Sequence, residues 1–356
     1  MTTIHQFIPS FAPRSAVGNH TLQVRTLLHE LGVRSEVFVG EAKREVEGIS
    51  TPFRDYAGTG DPRTWLLYQS STGSPMAEFL LQRPEPKVVD YHNITPAGLF
   101  GPWEPHVGVE LAAGRRQLAD LAPVTELGLA DSSYNCDELD RLGYRATAVV
   151  PILLDRSTFG GPARPSTVER LRAAGGATWL FVGRISPNKA QHDLLKALAA
   201  YRRVYDPGAR LRLVGGSSSH AYSTALEQFR SALGLEQAVD FVGEVSDDDL
   251  AAQYEAADVF VCASDHEGFC VPLLEAMHHR LPIVAYASSA VPETLAGGGL
   301  LLGDKAPATV AAAVHRILTD DEVRRALLDA GTARLADFDL AVTRRRLTDA
   351  LAPLLP

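Results

Sequence analysis

Val259-Phe260-Val261-Cys262-Ala263-Ser264 runs directly into Asp265-His266-Glu267-Gly268-Phe269-Cys270-Val271-Pro272-Leu273-Leu274-Glu275, and this junction decides the fold. The first six residues are apolar and rich in β-branched side chains, the pattern of a buried parallel strand. Pro272 sits where a first-turn helix proline is tolerated, because the N–H it lacks has no intrahelical partner there. Strand, tight turn at Gly268 and helix start therefore follow in order. The N–H groups of Phe269, Cys270 and Val271 would point out of that helix start, a ready anion site. Glu267 and Glu275 flank it with seven residues between them. A ligand carrying both phosphates and hydroxyls, as a nucleotide sugar does, reconciles an anion site with two acids. Taken singly, each glutamate has a plainer reading: Glu267 complements the helix dipole, and Glu275 is an ordinary exposed helical residue.

Strand and helix alternate outward from this junction. Upstream in the same half come strands at Thr178–Val182, Leu211–Val214 and Val239–Gly243, separated by helices over about 190–201 and 221–233. A helix over 247–256 follows, capped by Ser246. Downstream lie a strand at Ile283–Tyr286 and three helical segments over about 306–318, 321–334 and 339–353. The N-terminal half has strands at 3–8, 36–39, 65–69, 87–92, 127–130 and 147–151. Its helices fall at about 19–31, 76–82 and 106–121, with another following Ser132, and a loop from Pro9 to Gly18 feeds the first of them. Residues 155–165 are rich in Gly, Pro and Ser and suit a linker. The expectation is an α/β chain of two doubly wound, Rossmann-like domains, 1–155 and 156–335, with a closing helix in 336–356 that packs back toward the first domain.

Composition narrows the function classes. With 46% hydrophobic residues the chain is ordinary for a folded protein, and no apolar run approaches the roughly 18 residues of a membrane span. A net charge of −9 argues against nucleic acid as a partner, and residues 1–155 also carry more acids than bases. The acidic balance tilts away from anionic lipid and leaves peripheral membrane association open. No signal peptide pattern opens the chain, so a cytoplasmic location is the default. Cys136, Cys262 and Cys270 are odd in number and unrelated in spacing, so neither a disulfide framework nor a zinc site is expected.

Val182-Gly183-Arg184-Ile185-Ser186-Pro187-Asn188-Lys189 leaves a strand through a glycine and enters a helix. Arg184 offers a planar fork for oxygens and Lys189 a compact point charge, and two such cations at a sheet edge suit a diphosphate. Equally, they read as solvated loop charges. The spacing Val-Gly-Arg-x4-Lys, then Phe-x-Gly, Glu-Gly-Phe-x-x-Pro-x-x-Glu-Ala and Pro-Ile-Val-Ala, resembles the second domain of family 4 retaining glycosyltransferases with the GT-B fold. The resemblance covers most of residues 178–302.

That resemblance implies a GT-B architecture with a deep interdomain cleft and a nucleotide-sugar donor, UDP-sugar favoured. By the same analogy Arg184 and Lys189 bind the donor diphosphate, Glu267 contacts sugar hydroxyls and Glu275 holds the ribose. The backbone at Gly268, Phe269, Cys270 and Val271 meets sugar and phosphate oxygens, and Val242-Gly243 lines the base. Gly18 resembles the glycine that lets the first-domain loop approach the diphosphate, although a turn or cap glycine fits as well. His92, at the ligand edge of the first sheet, falls where such enzymes place a histidine beside the donor sugar. Asn19 and His20 adjoin Gly18 and are candidates to touch acceptor, while Ser132, Ser133 and Asn135 are sufficiently explained by capping. Cys270 departs from the family's frequent glycine, and His278-His279-Arg280 from its small-residue turn.

The chemistry implied is departure of a nucleoside diphosphate with retention at the sugar. Asp247-Asp248-Asp249 has Asp-x-Asp spacing but reads as a helix start, so no metal site and no cofactor are expected, the two cations replacing the metal. The acceptor stays open among small molecules, glycans and lipid-linked sugars. A nucleotide-sugar epimerase, a phosphorylase and a non-catalytic nucleotide-sugar-binding subunit are the alternatives. A nicotinamide dehydrogenase is disfavoured, because no Gly-x-Gly-x-x-Gly follows the first strand.

Overall fold

In the computed structural model the described residues are 2–12, 15–42, 48–161, 163–173 and 175–355. Residues 13 and 14 of the first loop and residue 162 of the expected linker lie outside them. Thirteen strands are found among the described residues, and every pairing between them is parallel. They are β1 Thr3–Phe11, β2 Val37–Ala42, β3 Ser50–Pro52, β4 Thr64–Ser70, β5 Lys87–Tyr91, β6 Thr125–Ala130, β7 Thr147–Val149, β8 Thr178–Val182, β9 Arg210–Val214, β10 Val239–Gly243, β11 Val259–Cys262, β12 Ile283–Tyr286 and β13 Leu300–Leu302.

The chain divides into two units. The first comprises Met1–Gly101, Pro105–Leu154 and Phe338–Pro356. Its seven-stranded sheet has the order β3-β2-β1-β4-β5-β6-β7. The second comprises Pro102–Glu104 and Asp155–Asp337, with a six-stranded sheet ordered β10-β9-β8-β11-β12-β13. Both are doubly wound. The order reverses beside β1 in the first unit and beside β8 in the second, and in such sheets ligands bind at the carboxyl ends of the strands flanking the reversal.

Central strands are buried on both faces because helices cover both. All four residues of β11 and all five of β5 are buried. In the second unit, Trp179, Leu211, Leu213, Val259 and Val261 form one core with Leu194, Leu198 and Val314 from flanking helices. In the first, Ile4, Val24, Leu28, Leu67, Val88 and Leu129 pack with Leu347 and Leu351, which arrive on the helix Leu340–Leu351.

One local reading needs correction, and several short elements were not foreseen. The first helix spans Ala16–Glu30, three residues earlier than its apolar face suggested, because Ser15 caps it by accepting the N–H of Gly18 at 3.0 Å. Gly18 therefore lies in the first helical turn and not in the loop before it. Strands β3 and β13 are only three residues each, too short to show a period. The linker gives way to a helix, Pro165–Arg172, begun by a first-turn proline. The acidic triplet at 247–249 does start a helix, with Ser246 Oγ accepting the N–H of Asp249 at 3.2 Å.

Candidate functional site

Strands β8 and β11 are neighbours at the reversal point of the second sheet, and the loops leaving their carboxyl ends are tied together. The N–H of Asp265 donates to the Asn188 carbonyl at 2.8 Å, and Asn188 Nδ2 donates to the His266 carbonyl at 3.4 Å. Ser186 Oγ fixes the Asn188 amide by donating to Oδ1 at 2.8 Å. On its far side the β11 loop is held by Ser288 Oγ donating to the Ser264 carbonyl at 2.6 Å. The N–H of Glu267 donates to Ser289 Oγ at 2.7 Å, and Thr294 Oγ1 donates to the Phe269 carbonyl at 2.6 Å. The loop positions are set by backbone and small hydroxyls, which leaves the long side chains for other work.

Lys189 and Glu267, separated by 78 positions, meet there with Nζ donating to Oε2 at 2.6 Å. Both are largely removed from solvent, at 18% and 8% side-chain exposure. Burial opposes charge on the lysine, but the adjoining Glu267 carboxylate outweighs it and holds the ammonium above its usual pKa. Sequence reasoning assigned one residue to phosphate and the other to sugar; the structure makes them an ion pair, with two lysine N–H groups and Glu267 Oε1 still uncommitted among the described residues.

Arg184 is exposed, and among the described residues its guanidinium makes no hydrogen bond or ion pair. A cation with no structural partner can be removed without strain. Arg184→Ala is therefore expected to leave the melting temperature within about 2 °C, as surface changes usually do, and to lower turnover of a nucleotide-sugar substrate by roughly 10²-fold. Differential scanning fluorimetry beside a nucleoside-diphosphate release assay reads both; an unchanged rate would remove Arg184 from the phosphate site.

The chain bends at Gly268 and Phe269, as expected, and Cys270, left-handed, completes the turn into the next helix. Cys270 has φ +76° and stands immediately before the helix Val271–His278. A left-handed non-glycine residue costs on the order of 1–3 kcal/mol, which explains why glycine suits this position. The N–H groups of Cys270 and Val271 make no hydrogen bond among the described residues, so they remain available to an anion. Left-handed Ala190 and Ser289 border the same two loops, so backbone strain concentrates here.

Glu275 projects from the first turns of that helix, where its Oε2 accepts from the Tyr254 hydroxyl at 2.6 Å. Burial pushes its carboxyl pKa up. Tyr254 is in turn stacked flat on His279, with ring centroids 5.1 Å apart and planes 5° apart. Neither Tyr254 nor His279 was singled out as a partner of Glu275, because nothing in local spacing links Tyr254 to a helix 21 residues on. Val242 and Gly243 end β10, where Gly243 takes φ +78° and its carbonyl accepts the N–H of Gly215 at 2.9 Å. Lys305 bridges Asp193 at 2.7 Å and Asp265 at 2.5 Å, pinning the β11 loop from a third element.

In the first unit, His92 follows β5 and is 9% exposed. Its Nδ1 faces both oxygens of Asp131 at 3.0 Å, and its Nε2 faces Gln69 Oε1 at 2.5 Å. The amide orientations are fixed from the far end: Gln6 Nε2 donates to the Thr21 carbonyl at 3.1 Å, and Gln69 Nε2 donates to Gln6 Oε1 at 3.2 Å. Both ring nitrogens of His92 therefore meet acceptors, which requires both to carry protons. Burial disfavours that cation, but Asp131 and Asp90 overcome it and raise the pKa to about 9. His20 is fully buried, so acceptor contact through its ring would need the core to open. Its Nδ1 accepts the Leu153 N–H at 2.9 Å, and its Nε2 donates to Asp90 at 2.8 Å. Gly18 has a packing reason to be glycine, since a Cβ there would lie 2.0 Å from the Ala12 carbonyl oxygen. Ser132 caps its helix by accepting the N–H of Asn135 at 3.3 Å.

The cysteines are less independent than their spacing suggested. Cys136 stands apart, but Cys262 and Cys270 are both buried and converge with Glu267.

Together the two sheets define the GT-B class of α/β fold. Residues 168–334, a little under half of the chain, match the family described as "Glycosyl transferases group 1". Among relatives, a D-inositol 3-phosphate glycosyltransferase of Geodermatophilus obscurus is 38% identical over 201 residues, 54% of this chain and 44% of that protein. A GDP-mannose-dependent alpha-(1-6)-phosphatidylinositol monomannoside mannosyltransferase of Mycobacterium tuberculosis is 32% identical over 206 residues, 52% of each chain. The chain thus spans about half the length of the relatives it matches. Among solved structures, Anabaena HepE in complex with UDP-glucose has a TM-score of 0.75 at 20% identity, covering 99% of this chain and 100% of that one.

Proposed function

We propose that the chain is a retaining glycosyltransferase that moves a hexose-type sugar from a nucleoside-diphosphate sugar, UDP favoured, to a hydroxyl of an acceptor. The observation that carries this reading is the Lys189–Glu267 pair at 2.6 Å, set between the exposed Arg184 and the uncommitted N–H groups of Cys270 and Val271. Negative charge grows on the departing diphosphate as the sugar acquires oxocarbenium character. Arg184, Lys189 and the helix start answer that charge more strongly in the transition state than in the ground state. Glu267 orients sugar hydroxyls through Oε1, and Glu275, fixed by Tyr254, takes the ribose, beside a base lined by Val242 and Gly243. His92, at the carboxyl edge of the first sheet, and Gly18, in the first helical turn, are the first unit's candidates by resemblance alone. The fixed cations stand in for a divalent ion.

The match over 168–334 supports transfer chemistry, and the names of the relatives suggest an inositol-type or lipid-linked acceptor. No helix of the described residues is long and apolar enough to cross a membrane. A thermal-shift screen of UDP, GDP, UDP-glucose and GDP-mannose, without added metal, tests the donor. A ligand at 100 times its dissociation constant is expected to stabilise by about 2.7 kcal/mol. Nucleoside diphosphate release with inositol and glycolipid acceptors then tests transfer. No shift with any nucleotide would sink the reading.

A further inference from the structure

The floor of this site carries two thiols that the transfer chemistry does not use. Cys262 ends β11 at 2% exposure, and Cys270 stands before the next helix at 7%. One ligand atom each from Cys262, Glu267 and Cys270, two sulfurs and one carboxylate oxygen, all lie within 4.8 Å of one another. Ser264 Oγ accepts from Cys262 Sγ at 3.4 Å on the same side. A tetrahedral zinc ion with Zn–S near 2.3 Å and Zn–O near 2.0–2.2 Å needs its ligand atoms about 3.5–3.8 Å apart, so closure by about an ångström of side-chain rotation suffices.

The second candidate cluster, His20, Asp90 and His92, fails on lone pairs. His20 has spent its acceptor nitrogen on the Leu153 N–H, and both nitrogens of His92 face acceptors. The cysteine cluster has no such obstacle, because thiols release protons to bind metal.

We propose that Cys262, Cys270 and Glu267 form an inhibitory site for a thiophilic divalent cation of the zinc class. Charge balances: the resting cluster holds a carboxylate, the Lys189 ammonium and two neutral thiols. The bound state holds the same carboxylate and ammonium, two thiolates and a dication, both states summing to zero. Each ion bound releases two protons, one from each thiol, and no electrons move. Two sulfur ligands select zinc, cadmium or cobalt over magnesium and calcium, which take oxygen. Metal binding stands on these residues alone. Inhibition additionally rests on the proposed transfer reaction, because an ion bound to Glu267 withdraws that carboxylate from the donor sugar.

The test uses the full chain with Co²⁺ and Zn²⁺. Reduced wild-type protein is expected to bind one Co²⁺ with a thiolate-to-cobalt charge-transfer band, to release two protons per ion in a weakly buffered indicator, and to lose the band when Zn²⁺ is added. Cys262→Ala and Cys270→Gly, each checked by thermal melting, are expected to lose the band. In a transfer assay, Cys262→Ala should keep its basal rate. The Zn²⁺ concentration for half inhibition should rise by at least about 100-fold, beyond what loss of an outer-shell partner brings. A band that survives in both variants, its absence from reduced wild type, or closure of the two thiols into a disulfide in place of metal binding would overturn the site. A failed donor screen with the band intact would overturn the transfer reading instead, leaving the metal site standing.

Discussion

Lys189→Ala is expected to lower turnover by at least roughly 10²–10³-fold, the usual consequence of removing one charge-stabilising donor. It is also expected to destabilise the second unit. The substitution leaves the Glu267 carboxylate, 7% exposed, without its cation, and breaking a buried pair from one side typically costs about 3–5 kcal/mol. The two effects separate in the double variant. Lys189→Ala with Glu267→Gln removes the stranded charge, so denaturant unfolding should recover most of the lost stability while turnover stays low. If stability and turnover recover together, Lys189 serves only to neutralise Glu267, and its place at the diphosphate is wrong. A single variant that keeps full turnover leads to the same conclusion.

His92→Ala is expected to cost the first unit about 3–5 kcal/mol, because it strands Asp131 in the core and removes a cation 4.0 Å from Asp90, which keeps His20. Asp90 already has one buried oxygen, Oδ1, that finds no hydrogen-bond partner among the described residues. The sign of the pH dependence follows from a folded pKa raised to about 9 against about 6.5 in the unfolded chain. The stabilisation is fully present below pH 6.5 and is lost as pH rises through about 9. Its size is on the order of 3 kcal/mol from the shift. Wild type and His92→Ala should therefore differ most at pH 6 and converge toward pH 10 in urea unfolding. Nitrogen-15 spectra of labelled histidine should show both His92 nitrogens protonated at pH 7.5; titration near 6.5 would refute the network.

Much of this was legible because the informative contacts follow chain order. A strand that leaves through a glycine toward Arg184 and Lys189, and another that runs into Glu267, can be placed at one sheet edge by the rules of doubly wound topology alone. The central strands were found for the same reason, since burial on both faces writes a continuous apolar run. What stayed hidden depends on distance in sequence. Asp90 meets His20 across 70 positions, and Tyr254 reaches Glu275 from another helix. The Cys262–Cys270 pair was missed differently: eight residues apart, the two thiols meet only because the loop between them folds back over the strand end. The tight turn was placed at Gly268, where the chain does bend, but the left-handed Cys270 that completes it was not foreseen.

The first unit is discontinuous: Leu347 and Leu351 complete a core begun by Ile4, Val24 and Leu28. On a ribosome, where the chain emerges from its N-terminus, the first sheet forms with a hydrophobic slot still open. That slot must wait for residues 155–337 to be made before segment 338–356 fills it. The second unit draws no residue from beyond Asp337 to finish its core. The unit begun first is thus the one completed last, and an unfinished chain exposes part of its core.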